Sequence, residues 1–209
     1  MTSAAMQPDR SALVQAAFRI EWLTAAWMAI EAVVAIWSGI AAHSLSLIAF
    51  GADSVIELLS AVVLLWRLTV EIRHGEEFSE KIEHRASKIG GALLFALAIY
   101  VVGSAAWALW NREGQEFSAV GLGLTVAAIP IMVFLAKAKL RIAAQIGSRA
   151  LRADAVESIT CGYLSFAIVV GLIAQLALGA WWVDGVTSLV IVGFLIKEGR
   201  EAWQGDDDD

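Results

Sequence analysis

Asp53 and Glu57 lie inside the apolar run 46–66 and are four residues apart, so on a helix both carboxylates share one face, a turn apart. A lone carboxylate at bilayer depth costs at least about 2.5–3.5 kcal/mol on insertion scales, and two together need something positive between them. A divalent cation or shared protons would serve. The structural alternative is a protonated pair, or one hydrogen bonded to neighbouring helices. A second stretch, 151–161, repeats the pattern, because Glu157 and Cys161 are again four apart. Two helices facing each other would offer three carboxylates and a thiolate, an acceptable tetrahedral set for zinc.

Two further carboxylates stand near this set. Glu31 falls near the middle of the first apolar run, where it would be a proton relay, a fifth ligand, or a hydrogen-bonding partner of a neighbouring helix. Asp154 shares a face with Glu157. The likeness of Ala52-Asp53-Ser54-Val55 to Ala153-Asp154-Ala155-Val156 suggests a different register, with Asp154 opposite Asp53 and Cys161 in the core. Asp154 also sits near a membrane boundary, within reach of Arg149 or Arg152.

Elements of bilayer length must position these groups. Of 209 residues, 59% are hydrophobic and only 17% charged, a membrane protein's balance. A hydrocarbon core of about 30 Å needs roughly 20 apolar residues per helix, and the chain holds six such runs. The spans are predicted at 18–42, 46–69, 89–110, 118–136, 153–178 and 183–203. A polar lead-in over 1–16 precedes them, the spans occupy 17–203, and an acidic tail covers 204–209. The three-residue link His43-Ser44-Leu45 predicts an antiparallel hairpin. The charged segment 67–88 alternates in sign and reads as a solvated helical extension, and Lys137 to Arg152 reads as a basic connection. Pro130 would free a backbone carbonyl within span four. Trp22 and Trp37 suit interface anchoring or packing, whereas Trp27 is too deep for an anchor and is expected to pack.

Charge sets the predicted orientation. With the N-terminus inside, Arg112 is the one outside cation among 15 Lys and Arg, which predicts an even number of spans and both termini cytoplasmic. The fold class is therefore an all-α integral membrane six-helix bundle, in a plasma or inner membrane. No basic patch points to nucleic acid. A single cysteine excludes a disulfide framework. No nucleophile–base pairing or cofactor motif suggests an enzyme. His74 and His84, among carboxylates, read as a solvated loop or a weak metal-loading site. The Asp206–Asp209 run reads as a solvated tail that could gather cations.

On these motifs the chain resembles the cation diffusion facilitators, six-span exporters of divalent metals. Their second span carries an Asp-x-x-x-Asp or His-x-x-x-Asp pair, matched by Asp53-Ser54-Val55-Ile56-Glu57. Their fifth typically reads Ser/Ala-Asp-Ala-x-His-x-x-x-Asp, against Ala153-Asp154-Ala155-Val156-Glu157-Ser158-Ile159-Thr160-Cys161. Ser44-Leu45-Ser46-Leu47-Ile48-Ala49, Trp182-Val183-Asp184-Gly185 and, more faintly, Arg85-Ala86 add to the likeness, which covers about residues 15 to 203. The resemblance implies a bundle of spans one, two, four and five around the ion, spans three and six beside it, a homodimer, and metal–proton antiport by alternating access. It carries over Asp53, Glu57, Glu157 and Cys161 as the metal site. Two departures stand out. Glu157 and Cys161 replace the usual fifth-span histidine and aspartate, and no counterpart of the family's C-terminal cytoplasmic domain is expected after Trp203. The thiolate favours zinc, while the carboxylates suit manganese, with iron or cobalt between them, so the expected cargo is zinc first and manganese, iron or cobalt behind it. The runner-up function is a non-transporting membrane metal sensor or interaction scaffold that keeps the same fold.

Overall fold

The computed structural model describes residues 10–74, 80–112 and 114–204, and among these the chain is helical with no strand. The helices are α1 (Arg10–Ala41), α2 (Leu45–His74), α3 (Glu80–Asn111), α4 (Ala119–Ile146), α5 (Arg149–Leu178) and α6 (Val183–Gln204). Five stretches are long and apolar enough to cross a membrane: Ser11–Ala41, Leu45–Val70, Gly91–Asn111, Ala119–Ile146 and Ala150–Leu178. The sixth expected span forms as the 22-residue α6, about 33 Å long. Lys197, Glu198, Arg200 and Glu201 near its C-terminus make it less apolar than the others.

The surface is the inverse of a soluble protein's. Large apolar side chains such as Trp22, Val33, Trp37, Ile99, Trp107, Phe134, Phe166 and Leu176 point outward, while Glu21, Glu31, Asp53, Ser54, Thr125, Lys139 and Ser165 are buried. In water such a continuous apolar exterior would drive association, and in lipid it is the matched surface. The protein is a multi-pass integral membrane six-helix bundle. Trp27 is half-buried against the main apolar core, as its depth predicts.

The helices pair as α1 with α2, α4 with α5, and α3 with α6, and α2 also touches α5 and α6. Close approach of α1 and α2 depends on glycine. A Cβ at Gly51 would lie 2.9 Å from the Ile36 backbone nitrogen, and one at Gly39 would lie 2.9 Å from that of Ile48. Small residues thus let two backbones meet where apolar lipid gives no hydrophobic drive to do so.

Lys137 to Arg152, expected as a connection, is instead mostly helical. Basic residues do not by themselves stop a helix, so α4 continues to Ile146. It ends at Gly147, whose left-handed backbone (φ 70°) lets its N–H reach the Ala143 carbonyl. Ser148 then caps α5 by accepting from the Leu151 N–H at 3.2 Å. The turn is Gly147-Ser148, and Lys139 consequently lies inside the bundle. In the charged segment 67–88, α2 runs on to His74 and α3 starts at Glu80. Residues 75–79 and the side chains of His74 and His84 lie outside the described residues, as do 1–9 and 205–209, so the histidine and tail readings are not addressed.

At the end of the bundle that carries the α1–α2, α3–α4 and α5–α6 connections, Asp184 ties α6 to α2. It accepts from the Leu45 N–H (2.7 Å), the Ser46 N–H (3.2 Å), and the hydroxyls of Ser44 (2.9 Å) and Ser46 (2.6 Å). The two N–H groups are orphan donors at the α2 N-terminus, where a carboxylate is also favoured by the helix dipole. Close by, the Gln175 side chain donates to the Gln115 carbonyl at 3.2 Å and the Glu116 N–H to the Ala42 carbonyl at 2.8 Å.

Candidate metal centre

The α2 face set by Asp53 and Glu57 meets α6, and Glu198 completes a trio. One carboxylate oxygen from each of the three lies within 4.8 Å of the other two. All three residues are buried. Among the described residues, neither oxygen of Asp53, Glu57 or Glu198 has a hydrogen-bond partner. Three carboxylates thus converge with all six of their oxygens unpartnered among the described residues. Burying one unpartnered carboxylate is costly and like charges at this range add to it, so the cluster is complementary to a cation or to protons.

Glu157 approaches from α5. It is half-buried and within electrostatic reach of Asp53, Glu57 and Glu198. Cys161, one turn further along, is fully buried and donates its thiol to Glu31 Oε1 at 3.3 Å. Glu31 is well supplied with donors. Its Oε1 also accepts from the Ser54 hydroxyl at 2.8 Å, and its Oε2 from the Trp27 indole N–H at 2.9 Å. Three donors from α1, α2 and α5 hold this carboxylate in one orientation, beside Asp53 electrostatically. Asp154 lies elsewhere, in an ion pair with Lys139.

Of the site residues expected from the sequence, Asp53 and Glu57 come together, Glu157 stands beside them, Cys161 bonds to Glu31, and Asp154 pairs with Lys139 of α4. Glu198 was not among the expected residues. Its signal was periodicity: Asp184, Ser188, Ile191, Leu195 and Glu198 form one helical stripe, and every member is buried. An ionisable residue on the core stripe of a predicted span marks a functional position by default.

A lipid-faced helical bundle with an anionic, water-poor interior defines a class, that of polytopic membrane proteins with an intramembrane charged site. Residues 22–203 match the cation efflux transmembrane domain, and the chain belongs to that family. It is a family of cation transporters and not of enzymes. The chain is 28% identical over 155 residues to an uncharacterized transporter of Synechocystis sp., covering 72% of this chain and 50% of that protein. It is 25% identical over 178 residues to transmembrane protein 163 of Xenopus laevis, covering 85% of this chain and 62% of that protein. The chain thus spans about half the length of the curated relatives it matches.

Proposed function

We propose that the protein exports a divalent metal cation in exchange for protons, with Asp53, Glu57 and Glu198 as the cargo site and Glu157 completing it during transport. The observation that carries this reading is the trio of buried carboxylates whose six oxygens lack hydrogen-bond partners. Carboxylates ligate only when deprotonated, so loading a dication releases protons and protonation releases the dication. Alternating access would present the trio to each side of the membrane in turn. Family membership supports a homodimer.

The donor set bears on which ion is carried. Oxygen-only sites suit manganese and the harder first-row dications, whereas zinc gains most from thiolate or imidazole. Here the one soft donor, Cys161, is engaged with Glu31. Manganese therefore ranks first, iron and cobalt follow, and zinc becomes competitive only if Cys161 turns toward the trio.

Proteoliposomes carrying an outward-directed proton gradient test this directly, and reversing the gradient should suppress uptake. Uptake of manganese above that of empty vesicles, abolished by Asp53→Asn, is expected. Flux no greater than in empty vesicles, with equilibrium metal binding retained, would favour the sensor or scaffold reading instead.

A further inference from the structure

Lys139 is the fully buried cation in this bundle whose role the carboxylate trio leaves unexplained. Its ammonium lies 3.3 Å from Glu21 of α1, forms an ion pair with Asp154 of α5, and donates to the Ser158 hydroxyl at 3.3 Å. Three acceptors match the three N–H donors of an ammonium. The carboxylates are less well served. Glu21 is fully buried, and among the described residues neither of its oxygens makes a hydrogen bond beyond the ion-pair contact. Two carboxylates share one ammonium, so the triad offers more acceptor oxygens than its one cation can serve.

Its position matters as much as its charge. Asp154 and Glu157 are three apart on α5, about 4.5 Å along the axis. Glu157 is within electrostatic reach both of Lys139 and of Asp53. Glu157 therefore lies between the trio and the triad, and the triad is on the side toward the α4–α5 turn. Buried ion triads are seldom needed for stability, since apolar groups of similar volume often serve as well or better. Stability alone therefore does not account for it.

We propose that Glu21 and Asp154 form a second cation station on the path to the carboxylate trio, filled at rest by the Lys139 ammonium, which a passing dication displaces. The tethered ammonium closes the path between α1, α4 and α5 when no cargo is present and prevents two dications from resting there together. This inference rests on the cation-transport reading, and its test separates the two.

Equilibrium dialysis of the full-length protein in detergent against manganese, with elemental analysis, counts ions per protomer. One is expected for the parent protein and two for Lys139→Met, falling back to one when Glu21→Gln and Asp154→Asn are added. A count of one for Lys139→Met overturns the proposal, and Lys139→Gln repeats the measurement if the methionine variant fails to fold. A parent protein that binds none while Lys139→Met binds one would remove the trio as the cargo site and keep this station. Lys139→Arg preserves the charge, but its planar fork clasps two carboxylates more firmly. It is expected to bind one ion and to transport at least about tenfold more slowly, and parent-like flux would overturn displacement as the step.

Discussion

At the scale of single residues, chemistry depends on which carboxylates have donors and which do not. Glu31 has three and Asp184 four, so the protein itself supplies each with hydrogen-bond donors. Asp53, Glu57 and Glu198 have none among the described residues. Glu198→Gln is therefore expected to weaken manganese binding at least about tenfold, or about 1.4 kcal/mol, in equilibrium dialysis. Glu201→Gln, on the exposed face nearby, should leave it unchanged. Cys161→Ser keeps a donor for Glu31 and should retain manganese flux, whereas a thiol that ligates the cargo would make the same change costly. Asp53 and Glu57 were legible because their spacing is a property of one helix. Glu198 was not singled out, because its relation to them crosses 141 residues of chain and depends on how α6 rotates against α2.

At the scale of elements, a cap between helices adds to the packing of their faces. Asp184 sits in the first turn of α6 yet caps α2, so one carboxylate sets the start of the helix that carries Asp53 and Glu57. Asp184→Ala leaves those donors unpaired and should destabilise the protein by at least about 2 kcal/mol, read as a lower thermal midpoint in detergent. Gly51→Val presses a branched side chain into the Ile36 backbone and should cost about 1–3 kcal/mol by the same measurement. The likeness of the segment 182–185 to a family motif was visible in the sequence, but the partner of Asp184 was not. The turn at Gly147-Ser148 was hidden by its basic flanks, although glycine in the left-handed region and a serine cap are what end α4 and start α5.

At the scale of the whole molecule, the interior holds carboxylates in two layers, the trio and the Glu21–Lys139–Asp154 triad, linked by Glu157. Protons and metal compete for the same oxygens, so manganese binding should weaken as pH falls, and a flat profile from pH 8 to pH 5 would argue against the carboxylates as ligands. The bias of basic residues predicts which face is cytoplasmic. A membrane-impermeant maleimide added outside intact cells should label Glu116→Cys and spare Gln145→Cys, both exposed positions at opposite ends of the bundle. Labelling of the second and not the first would invert the topology.

Composition and spacing alone determined that the chain is a helical membrane bundle and that α2 carries a pair of carboxylates on one face, because hydropathy and the 3.6-residue period are local properties. Only the tertiary structure decided that the pair is joined by Glu198, that Cys161 serves Glu31, and that Lys139 lies inside between Glu21 and Asp154. Those outcomes depend on the rotation and depth at which separate helices meet, and no stretch of sequence contains that information by itself.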